Sequence, residues 1–213
     1  MDVTIPHPEH APARATVQRS SDAEFNPFTI LVDTAEQTPF RFRGIHADAN
    51  KGGRTLVVSP GINLVRQCLG RHPNSLGDYS IEGFVGRCHV ERKSMDDAHS
   101  TILGFTKTVD GQRVELHGHR ERFERELANL ANIECGCVVV ECSFGEFLNN
   151  APEHELGKKT GLLNRKILAR SIIAWQQDYG VPWLFCDDRR AAEVITFRWL
   201  ERFWKKHKPK RGS

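Results

Sequence analysis

The sequence lacks any long apolar run. No segment reaches the roughly 18 consecutive apolar residues that a membrane-spanning helix needs. The first residues have neither the basic start nor the apolar stretch of a secretory signal. These absences predict an intracellular protein, cytoplasmic if it is bacterial or phage-encoded, with no membrane partner.

Cysteine pairs of the kind that bind zinc are also missing. The six cysteines have spacings that match neither a disulfide scaffold nor paired CxxC zinc sites. Most of them lie in apolar, strand-like runs, so we expect reduced core residues.

The excess of positive charge is small, and a formal net charge of +3 does not by itself indicate a nucleic-acid partner. The hydrophobic fraction of 39% argues against disorder along most of the chain. A length of 213 residues predicts a single core. We therefore expect a flexible leader over residues 1–26, one domain over 27–205 and a basic tail over 206–213.

Strand-like and helix-like patterns alternate along the domain, which predicts an α/β fold with a central mixed β-sheet flanked by helices on both faces. The predicted strands are 28–33, 39–44, 54–60, 78–84, 86–93, 135–142 and 181–186, and the predicted helices are 94–105, 119–131, 162–180 and 187–207. Residues 61–75 fit either a helical turn or a loop, and residues 145–161 indicate a short turn and a polar loop.

Two acids are expected to meet across a hairpin. A turn between Gly83 and Gly86 pairs positions whose numbers sum to about 169, which places Asp78 opposite Glu91. Lys93 lies two residues beyond Glu91 and therefore on the same face of its strand. The sequence thus predicts two neighbouring carboxylates with an ammonium group beside them.

Neighbouring carboxylates repel each other unless a proton or a cation lies between them, and their hard oxygen atoms suit Mg²⁺ or Mn²⁺. Such an ion polarises a phosphoryl group, and a nearby lysine orients the attacking water, so the pattern favours phosphodiester hydrolysis. Asp33 and Glu36 follow the first strand and supply further acids. The letters "ERK" alone favour a competing interpretation, a solvated strand edge with alternating charges. The GD pair thirteen residues upstream, the first strand ending in an acid and Asp97 at the start of the next helix all weaken it.

The stretches "LGDYSI" and "HVERKSMDD" resemble the GD…ERKxxxD signature of the XPF-type structure-specific endonuclease domain. "ILVDTAEQTPFRF" is similar to the opening strand of that family, and the resemblance covers about residues 28–204. It implies a restriction-endonuclease-like core that cuts branched or flapped DNA with Mg²⁺, or with Mn²⁺ as a substitute. Because members of this family commonly pair through this domain, a homodimer is expected.

Roles follow from the resemblance position by position. It implies metal binding by Asp33, Asp78 and Glu91, with Glu36 nearby. Lys93 would serve the attacking water, Arg92 would join a charge network or contact phosphate, and Asp97 would support the site from the next helix. The residues expected to contact DNA are Arg92, Arg120, Arg122, Lys158 and Lys159.

The sequence departs from the family pattern at two points. Ala35 stands where many relatives carry a basic residue, and we expect no tandem helix-hairpin-helix module after the domain. DNA binding is therefore expected from the domain itself, from its basic segments or from an accessory DNA-binding protein. Two alternatives remain open: Arg120 and Arg122 pair with acids on the outer face of their helix, and the domain is a catalytically inactive DNA-binding scaffold.

Overall fold

The computed structural model describes residues 28–45, 48–51, 54–57, 63–70, 76–104, 107–109, 112–114, 118–152 and 158–208. The strands in these ranges are β1 (Thr29–Asp33), β2 (Asp48–Lys51), β3 (Arg54–Val57), β4 (Asn63–Gln67), β5 (Tyr79–Ile81), β6 (Cys88–Lys93), β7 (Lys107–Val109), β8 (Gln112–Val114), β9 (Cys135–Val140) and β10 (Trp183–Phe185). The helices are α1 (Met95–Leu103), α2 (His119–Ala131), α3 (Phe144–Asn149), α4 (Lys158–Tyr179) and α5 (Arg189–His207).

The central feature is a mixed sheet with the strand order β10-β9-β6-β5-β1-β4 across the described residues. Strands β10, β9 and β6 are parallel, as are β1 and β4, whereas β5 runs antiparallel to both of its neighbours, β1 and β6. Because β5 is reversed, its first residue lies at the sheet edge where β1 and β6 end. Two further antiparallel pairs, β2 with β3 and β7 with β8, stand outside this sheet.

Helices cover both faces of the sheet. One core forms where α5 packs on one face, and a second forms where α1, α2, α3 and α4 pack on the other. Strand β9 contributes Cys137 and Val139 to the first core and Val138 and Val140 to the second. The α/β fold with a mixed sheet covered on both faces is therefore confirmed. None of the described helices has both the length and the apolar character needed to cross a membrane.

The predicted hairpin has the expected register. Tyr79 pairs with Val90 and Ser80 with His89, so the position numbers sum to 169 in both pairs. Gly83 and Gly86 in the turn have φ angles of 80° and 84°, which a glycine adopts without steric cost. The strands predicted at 28–33, 135–142 and 181–186 and all four predicted helices are found, with ends shifted by a few residues.

Residues 39–44 do not form the predicted strand. Phe40 and Phe42 are buried while Arg41 and Arg43 are exposed, as the alternation indicated. However, Phe42 has a φ of 51°, and the amides of Arg41 and Phe42 donate to the carboxylate of Glu193 instead of to a neighbouring strand. An alternating pattern therefore identified the buried side chains but not the backbone conformation.

Three other segments differ from the prediction. Residues 63–67, which fitted a turn or a loop, form strand β4, and β3 pairs with β2 outside the main sheet. Residues 144–149 form α3, because Ser143 and Glu146 make a reciprocal capping box at its start. Helix α5 ends at His207, which is the predicted end of this helix. The predicted leader and the last five residues lie outside the described residues.

The cysteines mostly have the predicted environment. Burial is found for Cys88, Cys137, Cys142 and Cys186, and Cys135 is partly buried. Cys68 differs because it is exposed immediately after the edge strand β4.

Candidate active site

Gly77 allows Asp78 to approach strand β6. Its φ is 113°, and a Cβ atom at this position would lie only 3.0 Å from the carbonyl oxygen of Val90. The amide of Asp78 donates to that same oxygen at 2.9 Å, and the carbonyl of Asp78 accepts from the amide of Asp33 at 2.8 Å. The backbone of Asp78 is thus fixed between β6 and β1. The close approach of the backbone to Val90 therefore explains why a glycine precedes the aspartate in the "GD" pair.

The carboxylate of Asp78 lies next to that of Glu91. Its Oδ2 atom accepts a hydrogen bond of 2.7 Å from the amide of Arg92. Burial raises the pKa of Asp78 well above its usual value, and the negative charge of Glu91 raises it further. The register of β5 against β6, with Tyr79 opposite Val90, places Asp78 beside Glu91, close enough for the two charges to repel each other.

Lys93 forms a buried ion pair with Glu91. Its Nζ atom lies 2.8 Å from Oε1 of Glu91 and 4.5 Å from the centre of the Phe123 ring. Burial alone would lower the pKa of Lys93, but the charges of Glu91 and Glu126 raise it above the usual value. The ammonium group therefore stays protonated beside the two acids.

Glu126 is a third acid near this cluster, and the sequence reasoning placed it only on the outer face of its helix. It lies on α2, with only 13% of its side chain exposed, and its Oε1 atom is 3.5 Å from Nε of Arg122. Burial raises the pKa of Glu126, and Glu91 adds to the effect. A signal was available, because Glu126 follows the buried Phe123 by three residues and precedes the buried Leu130 by four.

Arg92 points away from Lys93 and lies in a buried charge network. Its guanidinium is 3.2 Å from Oε2 of Glu36 and 2.7 Å from Oε1 of Glu141, and only 8% of its side chain is exposed. Arg189 also contacts Glu141. Of the two predicted roles for Arg92, this geometry supports the charge network and leaves little surface for a phosphate. Glu141 was missed, although an acid directly after a buried strand was a usable signal.

Both carboxylate oxygens of Asp33 accept hydrogen bonds from backbone amides. Oδ1 accepts from the amide of Ala35 at 2.7 Å, and Oδ2 accepts from the amide of Leu69 at 3.0 Å. Glu36 is similarly engaged, with Oε1 accepting from the amide of Thr38 at 2.6 Å in addition to its contact with Arg92. These hydrogen bonds give Asp33 and Glu36 a role in positioning the strand ends, and metal binding by Asp33 stays a prediction.

Asp97 is not brought to the acids. It is exposed in the first turn of α1, where its amide donates to the side chain of the capping residue Ser94. Its carboxylate contacts none of Asp78, Glu91 and Lys93 in the described part of the chain. A negative charge at this position stabilises the start of the helix.

The predicted DNA-contact residues on α2 have partners within the protein. Arg120 pairs with Glu124 at 3.1 Å and also donates to the hydroxyl of Ser171. Arg122 pairs with Glu126, although 53% of its side chain is exposed. Lys158 and Lys159 form the start of α4, and their side chains lie outside the described residues.

The carboxylate oxygens at the site fit a divalent cation whose remaining ligands come from water and from the substrate of the protein. Oδ1 of Asp78 and Oε2 of Glu91 accept no hydrogen bond from any described residue, so both are available as hard oxygen ligands. No group of three or more His, Cys, Asp and Glu side chains that could hold an ion exists among the described residues. Two carboxylates are nevertheless the usual protein contribution to a Mg²⁺ site that water and substrate phosphates complete.

Comparison with known proteins supports the fold. No protein-family model matches the sequence, and no curated protein does. The structure of XPF from Aeropyrum pernix superimposes with a TM-score of 0.50 at 17% identity, covering 84% of this chain and 66% of that chain. The structure of XPF from Aeropyrum pernix in complex with DNA gives a TM-score of 0.47 at 16% identity, covering 86% and 68%. The chain therefore has the restriction-endonuclease-like fold of archaeal XPF.

We predict that Gly77→Ala disrupts this site. The new methyl group would contact the backbone of Val90 in a conformation that alanine rarely adopts, so we expect a loss of roughly 1–3 kcal/mol in the free energy of unfolding. Urea unfolding measures this loss. Gly83→Ala is the matched control, because Gly83 also has a positive φ but no atom within 4 Å of the added Cβ. Equal losses in the two variants would contradict the close-approach explanation.

Proposed function

We propose that this protein is a Mg²⁺-dependent DNA endonuclease that hydrolyses phosphodiester bonds in branched or flapped DNA. One observation supports this most strongly: Asp78 and Glu91 are held side by side with the charged Lys93 at one edge of a restriction-endonuclease-like sheet. A domain that only binds DNA gains nothing from mutually repelling acids at this position.

The residues of the site have distinct roles in this proposal. Asp78 and Glu91 would hold the ion, which when bound would supply Lewis-acid chemistry at the phosphoryl group and at the attacking water. Lys93 donates a hydrogen bond to that water or to the phosphate, and its charge offsets the negative charge that develops in the transition state. Arg92 does not touch the substrate and instead keeps the ends of β1, β6 and β9 together through Glu36 and Glu141.

Incubation of the purified chain with labelled flap, fork, nicked and four-way DNA, with Mg²⁺ or with EDTA, tests the proposal. We expect cutting near the branch in Mg²⁺ and none in EDTA. Cutting that persists in EDTA would contradict a metal-dependent reaction. DNA binding without cutting of any substrate would instead favour the inactive scaffold.

A further inference from the structure

An exposed basic surface adjoins the strand edge that carries the two acids. We call it the arginine surface, and it consists of Arg41 and Arg43 from the loop after β1, Arg66 from β4, and Arg189 and Arg190 from α5. These residues come from three separate chain segments. Folding, rather than a basic run in the sequence, therefore brings the charges together.

The loop after β1 turns two of these arginines outward. Phe42 is buried and its ring packs edge-on against Tyr79, so its neighbours Arg41 and Arg43 face solvent. The left-handed backbone at Phe42 is held in place by the carboxylate of Glu193, which accepts hydrogen bonds from the backbone amides of Arg41 and Phe42. Neither guanidinium makes an ion pair with any residue in the described ranges.

Arg66 is fixed without being neutralised. Its Nη2 atom donates to the carbonyl oxygens of Thr34 at 3.0 Å and Glu36 at 2.9 Å. No carboxylate in the described ranges pairs with Arg66, and no residue in those ranges accepts a hydrogen bond from its Nη1 or Nε group. A guanidinium that is oriented by carbonyl groups and has no described carboxylate partner suits the recognition of a phosphate.

The first turn of α5 carries two arginines where the helix dipole disfavours cations. Arg189 contacts Glu141 and Arg190 contacts Glu193, and 12% or less of either glutamate side chain is exposed. The glutamate side chains of these two pairs are therefore buried, whereas the arginine side chains are exposed to solvent. A Cβ atom at Gly44 would lie 3.9 Å from Nη2 of Arg190, so this turn adjoins the loop that carries Arg41 and Arg43.

A short chain of contacts joins the arginine surface to the acids. Arg66 donates to the carbonyl of Glu36, the carboxylate of Glu36 contacts Arg92 at 3.2 Å, and the amide of Arg92 donates to Asp78 at 2.7 Å. We propose that the arginine surface docks the phosphodiester backbone of the nucleic acid beside the two acids, independently of base sequence. This inference rests on the proposed function, because it takes a nucleic acid to be the substrate.

Salt-dependent DNA binding tests this inference. Fluorescence anisotropy of a labelled DNA fork is recorded from 50 to 300 mM NaCl with EDTA present, for the full chain and for the variants Arg43→Gln and Arg66→Gln. Each variant is expected to bind roughly eightfold more weakly at 0.1 M NaCl and to lower the slope of log affinity against log salt by about 0.9. Arg170→Gln, which removes an exposed arginine from α4, is the matched control and should bind like the wild type.

Arg66→Lys separates phosphate binding from local folding, because it keeps the charge and loses the fixed guanidinium geometry. A salt slope close to that of the wild type in this variant, with a reduced slope in Arg66→Gln, would support the inference. Equal losses of DNA affinity in Arg43→Gln, Arg66→Gln and Arg170→Gln would show that only net charge matters and would overturn the inference. Unchanged salt slopes in Arg43→Gln and Arg66→Gln would also overturn it. Since EDTA prevents metal-dependent cutting, these outcomes do not depend on whether the nuclease proposal holds.

Discussion

Replacement of Asp78 by asparagine is expected to lower the rate of Mg²⁺-dependent cutting by about 10³-fold or more, and Glu91→Gln should do the same. Each change removes one of the two ligand oxygens that no described residue occupies, and a catalytic metal supplies several kcal/mol of transition-state stabilisation. Single-turnover cleavage of a labelled branched DNA measures the effect. Asp96→Asn removes an exposed acid from the first turn of α1 and is the matched control, for which activity should be retained.

Unfolding of the same variants distinguishes lost chemistry from lost structure. In Asp78→Asn, the side-chain amide oxygen can still accept the hydrogen bond from the backbone amide of Arg92, and the repulsion with Glu91 disappears. We therefore expect this variant to be at least as stable as the wild type in urea. A variant that folds and cuts at the wild-type rate would remove Asp78 from the mechanism, whatever the fate of Glu91.

Replacement of Arg92 by methionine is expected to have the largest effect on stability, a loss of about 3–5 kcal/mol in the free energy of unfolding. The change leaves the buried carboxylates of Glu36 and Glu141 without the cation between them, although Glu141 keeps its contact with Arg189. Urea unfolding followed by circular dichroism measures this loss. Arg170→Gln, at an exposed site, should change stability by less than about 0.5 kcal/mol.

A double variant identifies the source of the Arg92 effect. If an uncompensated charge at Glu36 is the main cost, adding Glu36→Gln to Arg92→Met should recover part of the lost stability, because the amide needs no cation. A loss below about 1 kcal/mol in Arg92→Met alone would show that the network contributes little. That result would also reopen the predicted contact between Arg92 and a phosphate.

The parts of the fold that were predictable are those that local sequence determines. Helix α2 was predicted with its observed ends, because Phe123, Leu127 and Leu130 repeat at helical spacing. The pairing of Asp78 with Glu91 was also predictable, since the glycine-flanked turn sets the register of the hairpin.

The parts that sequence reasoning missed depend on contacts between distant segments. Strand β4 is recognisable only through its parallel pairing with β1, and its exposed Leu64 and Val65 show no burial pattern of their own. The backbone at Phe42 depends on Glu193, about 150 positions later in the chain. The network around Arg92 likewise needs Glu141, directly after β9, which no local pattern connects to Glu36.

The reversed direction of β5 has a consequence for how this site can vary. Both acids belong to one short hairpin, so the loop that must close to bring them together is small and its entropy cost is low. Their spacing therefore depends on the length of that hairpin more than on the packing of distant helices. A slip of β6 by one residue against β5 would move Glu91 to the opposite side of the sheet, and the pairing of β6 with β9 opposes such a slip. In related chains, the register of this hairpin should thus be a stricter constraint than the identity of the residues in its turn.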